Sequence, residues 1–185
     1  MTTPTATRTL RRTTYIQTLR TLLLAAAAAL CCAALPADGI GPQLRIIPGI
    51  STEDGRFLAA GAACSMKFDR IPFYIAVSTD FDFLSGSFDV SAAADYWILN
   101  PRISDCWKWF FGVGLMAGAS FSGSSVSVGA APRAFFGMSW IFFDGYFELY
   151  AQQGVQPEVR AVFGQDSGMQ VPIRFPSDVG VRFWF

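Results

Sequence analysis

The last eight residues constrain the fold more than any other segment. From Asp178 to Phe185 the side chains alternate: Val179, Val181, Phe183 and Phe185 fall on one face of an extended strand, and Asp178, Gly180, Arg182 and Trp184 fall on the other. Hydrocarbon against the first face and a polar interior against the second would suit both sets. In hydrocarbon every backbone N–H and C=O needs a partner, so such a sheet must close on itself. The competing reading of these residues is an ordinary edge strand of a soluble sheet.

The same period recurs along the chain in eight segments separated by turn residues. Strand 1, at about 40–50, sets Ile40, Leu44, Ile46 and Ile50 against Gly41, Gln43 and Arg45. In strand 2, about 57–67, small residues occupy both faces, and Lys67 is read as inward. Strand 3, about 73–83, puts Tyr74, Asp80 and Asp82 inward; strand 4, about 88–99, puts Asp89, Asp95 and Trp97 inward. Strand 5 (about 107–121) turns Lys108, Gly112, Gly114 and Gly118 inward, and strand 6 (about 128–142) turns in Arg133 and Gly137. Asp144-Gly145 is a strong hairpin signal. Strand 7, about 146–156, carries Glu148 and Tyr150 inward. A long loop is expected at about 157–169, then strand 8 at about 170–185 with Arg174, Asp178 and Arg182 inward. No outward position so read is charged, and outward aromatics gather near both strand ends, as lipid and its two interfaces require. A lipocalin-like soluble barrel would alternate too, but with its bulky apolar face inside. Here the bulky face is the uncharged one, and the charged face is thinned by Gly, Ser and Ala, as a narrow lumen needs.

The first 37 residues have a different character. Arg8, Arg11, Arg12 and Arg20 precede an apolar run from Leu22 to Leu35, shorter than the ~20 residues of a membrane-spanning helix. Small residues at Ala33, Ala34 and Ala37 suit cleavage, so 1–37 reads as a signal peptide and 38–185 as one domain. Lipid attachment at Cys31 or Cys32 is a weaker alternative. Four of fourteen basic residues and none of fourteen acidic ones lie in 1–37, so 38–185 carries a net charge of −4. That balance excludes nucleic acid as a partner. Cys64 and Cys106 fall three strand steps apart, about 14 Å at ~4.8 Å per step, too far for a disulfide. The expected fold is all-β: an eight-stranded antiparallel up-and-down transmembrane β-barrel preceded by a signal peptide.

The C-terminal order, with Gly180, Phe183 and Phe185 at its marked positions, resembles the signal by which bacterial outer-membrane barrels are recognised for insertion. Ala94 to Trp97, Phe143 to Glu148 and Gly180 to Phe185 are similar to segments of small spirochaetal outer-membrane barrels, a group classed with OmpW/OprG-type eight-stranded barrels. The resemblance implies a surface-exposed barrel in the cell outer membrane, in contact with its lipid and with the barrel-assembly machinery. It also implies a channel for small molecules. OmpW-type barrels pass apolar compounds from an apolar lumen, and the charged lumen expected here departs from that pattern.

No histidine occurs in the chain, which removes His-dependent catalysis and His-dependent metal sites. Asp80 and Asp82 share a face and would suit an acid–base pair or a calcium site, but calcium prefers 6–8 oxygen ligands. Twelve inward charges are expected: Asp80, Asp82, Asp89, Asp95, Glu148 and Asp178 against Arg45, Lys67, Lys108, Arg133, Arg174 and Arg182. Equal numbers in a narrow space read as ion pairs filling the lumen, because an unpaired buried charge is costly. Neither a cofactor, a metal nor an enzyme activity is expected. The primary functional expectation is a narrow pore for small solutes; the alternative is a non-conducting structural or surface-interaction barrel. A solute or host ligand is expected at loop 157–169, where Glu158, Arg160, Gln165 and Asp166 lie.

Overall fold

The computed structural model describes residues 38–51, 55–68, 70–123, 125–164 and 167–185. The expected signal peptide, 1–37, lies outside the described residues, as do Gln165 and Asp166. Eleven strand segments run in order: β1 (Gly39–Ser51), β2 (Gly55–Lys67), β3 (Phe73–Asp82), β4 (Phe88–Leu99), β5 (Trp107–Ser122), β6 (Ser125–Phe142), β7 (Phe147–Pro157), β8 (Val159–Phe163), β9 (Gly168–Gln170), β10 (Ile173–Arg174) and β11 (Ser177–Trp184). They compose eight barrel strands. β7 and β8 are one strand in one register against β6, with Ala134 facing Val155 and Val126 facing Phe163. β9, β10 and β11 are the eighth, in one register against the seventh: Arg160 faces Gln170, Pro157 faces Ile173 and Gln153 faces Ser177.

The eighth strand closes the barrel on β1, pairing Gln43 with Gly180 and Arg45 with Asp178. The breaks at Pro172 and Pro176 arise because proline has no N–H to donate. Their carbonyls still accept, from Glu158 N at 2.8 Å and from Gly154 N at 2.8 Å, so the wall stays bonded there. At the other end of the seam, Phe185 N donates to Asp38 O at 2.9 Å. The tight turn at Asp144-Gly145 forms with both residues at positive φ, as the hairpin signal demands.

The core is inverted. Among the described residues the buried set is dominated by Ser, Gln, Asp, Glu and Arg, while Leu44 is 72% and Leu115 68% exposed. The outward aromatics form a band at the end that bears the termini, with Phe73 against Tyr96, Trp107 against Trp140, and Phe147 against both Phe142 and Phe183. Phe81 and Phe83 pack edge-on at the opposite end, which we call the mouth. Outward Gln153 and Ser177 meet one another at 2.5 Å, and Gln153 also donates to Phe175 O beside the Pro176 break.

One expectation needs correction. The segment 157–169 is not a long loop: Val159–Phe163 continues the seventh strand, and Gly168–Gln170 begins the eighth. Outward Val155, Pro157, Val159, Ala161 and Phe163 keep the period unbroken through Pro157, although proline has no N–H to donate. The loop expected to hold a partner is therefore barrel wall, and Glu158 and Arg160 point into the lumen. Cys64 and Cys106 are not joined in a disulfide.

Candidate functional site

The inward side chains form three tiers. Nearest the termini, Arg182 and Glu148 stand directly opposite on paired strands and meet at 2.7 Å. Trp184 Nε1 donates to the same Glu148 oxygen at 3.1 Å. The Arg182 guanidinium lies 4.6 Å from the ring centres of both Tyr74 and Tyr150. Tyr74 stacks on Trp97 at 4.3 Å, and Trp97 stacks on Phe110 at 4.0 Å. Phe135 meets Phe110 edge-on. Phe110, Phe135 and Tyr150 are at most 1% exposed, so this tier is packed across the barrel. Tyr150 also donates to Gln43 Oε1 at 2.7 Å.

The middle tier holds three carboxylates and two guanidinium groups. Asp178 sits between Arg45 Nε at 3.2 Å and Arg133 Nη2 at 3.8 Å, and accepts from Gln152 at 2.8 Å. Asp80 lies 3.6 Å from Arg45, and Asp95 lies 3.4 Å from Arg133. Asp178 has no exposed side-chain surface. The register explains the room for these long side chains. Gly61 is paired with both Arg45 and Asp80, and Gly114 with both Asp95 and Arg133. A Cβ at Gly61 would overlap Asp80, and one at Gly114 would overlap Asp95. Each charged pair lies over an intervening glycine.

The upper tier holds Asp89, Glu158, Arg160 and Arg174. Arg174 meets Asp89 at 2.9 Å and Glu158 at 2.8 Å; Arg160 meets the same two acids at 3.5 and 3.1 Å. Asp80 and Asp89 are directly opposite on β3 and β4, a like-charge pairing that destabilises a sheet unless each finds other partners. They do so in opposite directions, Asp80 toward Arg45 and Asp89 toward Arg174.

Nine of the twelve expected inward charges therefore meet in these tiers. Three do not. Asp82 sits at the mouth, accepting from Leu84 N at 2.9 Å and Ser85 Oγ at 2.7 Å, and so caps a turn. Lys67 donates to the carbonyls of Phe68 and Ile71 at the terminus end. Lys108 lies at the same end, bridged to Arg102 through the backbone. Sequence reading placed Glu158 and Arg160 in a ligand-binding loop instead of the lumen, and gave no role to the inward rings of Tyr74, Trp97 and Tyr150. Phe110 and Phe135 were not assigned to the lumen; their signal is Gly137 and Gly112, over which their rings lie. Of the residues matching the insertion signal, Gly180 faces inward against Gln43 and Tyr150. Phe183 packs outward on Phe147 at 5.4 Å, and Phe185 is 83% exposed.

Above the upper tier the lumen opens into a cup of about 540 Å³ bounded by Ser87, Ser120, Ser127, Arg160 and Arg174, with Arg56 reaching in from its rim. Below, the free space beside Gln43, Tyr74 and Arg182 amounts to about 10 Å³, roughly the space of one water molecule.

No family model and no curated protein matches the chain. Among solved structures, Neisserial surface protein A is similar with a TM-score of 0.56 at 13% identity, over 80% of this chain and 96% of that one. The N-terminal β-barrel domain of Pseudomonas aeruginosa OprF aligns over 80% of this chain and 98% of its own, with a TM-score of 0.45 at 13% identity. At this identity the first likeness establishes the fold alone.

Proposed function

We propose that the chain is an integral outer-membrane β-barrel, exported by way of residues 1–37, that serves as a closed structural or surface-interaction barrel. An uncharged outward face with aromatic bands at both ends supports the membrane reading, as does the fold likeness to an outer-membrane barrel. The observation that carries the closed reading is the terminus-side tier: Tyr74, Trp97, Phe110 and the Arg182–Glu148 pair occupy the cross-section. Eight strands enclose an interior just wide enough for side chains to fill.

The pore reading has one point in its favour, the cup at the mouth, but the free space beneath it is too small for a hydrated ion. Kinship with OmpW/OprG-type barrels of spirochaetes rests on three short sequence segments, and the ion-paired interior argues against transport of apolar solutes. The lack of histidine and the pairing of the carboxylates with arginines argue against catalysis. Insertion by the assembly machinery through Gly180, Phe183 and Phe185 belongs to the same proposal.

Planar-bilayer recording of the refolded 38–185 chain tests the closed reading. The expected record has no resolved conductance steps. Steady single-channel steps from the parent chain would restore the pore.

A further inference from the structure

We propose that the cup at the mouth is a binding site for a soluble, uncharged, hydroxyl-rich solute: a mono- or disaccharide. Its volume of about 540 Å³ falls within the ~300–1,000 Å³ of small-molecule sites. Sites of that class are mostly apolar with a few polar anchors, whereas serine hydroxyls are the main lining here. Ser120 and Ser127 face each other across β5 and β6, as do Ser122 and Ser125 nearer the rim, with Ser87 on the adjoining wall. Ser120 and Ser127 are 4% and 7% exposed, so both are fixed parts of the wall. A serine hydroxyl offers one donor and two acceptor lone pairs; Ser120 already hydrogen-bonds the Asp89 carboxylate and so offers a ligand its lone pairs. A wall of such groups matches a ligand that also donates and accepts all over its surface.

The charges at the floor narrow the class further. Arg160 and Arg174 are each shared between Asp89 and Glu158, two acids against two bases. At the floor an anion would have to draw a guanidinium away from two carboxylates, and a cation a carboxylate away from two guanidinium groups. A neutral polyol needs neither; it accepts from the guanidinium edges while the pairs stay intact. Arg56 at the rim is the basic group an anion could meet without that cost, and the phosphate probe below tests it. Aromatic ligands are disfavoured for a separate reason. Phe57 borders the cup, but its ring already lies against Gly49 and within 5.3 Å of the Arg174 guanidinium. An aromatic ligand would compete with both.

The mouth is also the end at which the connection at 83–87 is a tight turn, and none of the described residues there folds over the cup. The inference rests on the closed-barrel reading, because the paired tiers below make the cup a blind pocket.

The test is calorimetric titration of the refolded 38–185 chain in a polyoxyethylene detergent, since a sugar-headed detergent would compete. The probes are lactose, inorganic phosphate, and a lactosyl lipid in mixed micelles. Saturable lactose binding is expected, weakened about tenfold or more in a Ser120→Val/Ser127→Val double variant that loses two hydrogen bonds. Ser139→Ala, deep in the packed part of the lumen, should bind lactose as the parent does, and heat-modifiable gel mobility verifies that every variant is folded. Phosphate binding without lactose binding, binding of the lactosyl lipid alone, or no binding by a folded barrel each overturns the proposal. So does a double variant with parental affinity. Lactose binding at these serines in a barrel that conducts steadily would sink the closed reading and leave the saccharide site standing, whereas a silent barrel that ignores lactose does the reverse.

Discussion

The two halves of the lumen follow one construction rule and end in opposite states. In both, inward side chains alternate with outward apolar ones, and charges are paired across strands. On the terminus side, large rings and guanidinium groups lie over glycines of the neighbouring strand, and the interior is filled. On the mouth side the corresponding inward positions of β5 and β6 are Ser120, Ser122, Ser125 and Ser127, and the interior is hollow. The same wall thus yields a plug or a cup according to which residue sits beside each large side chain. The difference also separates stability from function. Side chains in the filled half pack against one another across the barrel, while those around the cup leave room for a ligand.

The largest expected effect contrasts one arginine from each half. Arg133 is held between Asp95 and Asp178, and its side chain is 2% exposed. Arg133→Ala leaves three carboxylates facing Arg45 alone, and removing one partner from a buried pair costs about 3–5 kcal/mol. Arg160 is 15% exposed at the cup, and both of its acids keep Arg174. Arg160→Ala should cost about 1 kcal/mol or less, as for partly solvated pairs. Urea midpoints of the refolded variants measure both. Equal losses would mean that the two halves carry stability alike.

How far the fold could be read in advance follows the same division. Strand parity was legible, least so in strand 2 with its small residues on both faces, because one face carries no charge and a slip by one residue would turn every charge onto it. That parity placed Arg45, Asp80, Asp95, Arg133, Asp178 and Arg182 inward. Pairing within the tiers was not legible, because it depends on the stagger between strands, which alternation leaves open. The expected seventh strand stops at 156, yet Pro157, which cannot donate to a ladder, keeps the register opposite Ile173 and the strand runs on. Glu158 and Arg160 lie on that continuation, read from the sequence as loop. The plug was not legible for a different reason: it is built of rings, and Trp97 and Phe110 carry no charge to mark them. Their trace was the glycine beside each ring.

A smaller effect tests that trace directly. Gly137 lies on the inward face beneath the Phe110 ring, and a Cβ there would overlap both that ring and the Ala151 carbonyl. Gly137→Ala should therefore overpack the plug and cost about 1–3 kcal/mol. Gly168, at the mouth, has open space where its Cβ would be and no left-handed backbone to strain. Gly168→Ala should leave the urea midpoint unchanged or raise it slightly, since alanine restricts the unfolded chain. If Gly137→Ala is equally harmless, the plug yields easily and the closed reading of the barrel weakens with it.

The smallest effect is the most discriminating, because simple burial would forecast a large one. Asp178 is fully buried and touches both Arg45 and Arg133. Seen as a hub, it should be irreplaceable. Seen by charge, the middle tier has one carboxylate too many. Asp178→Asn would leave Arg45 with Asp80 and Arg133 with Asp95, two acids against two bases. The new amide oxygen can still accept from a guanidinium, and Gln152 can turn its own oxygen toward the new amide nitrogen. The expected cost is about 1 kcal/mol, the worth of a single hydrogen bond. Urea titration beside Arg133→Ala decides between the two accounts. A loss for Asp178→Asn as large as that for Arg133→Ala would show that the tier is held by one shared contact, and that counting its charges misreads the packed half of the lumen.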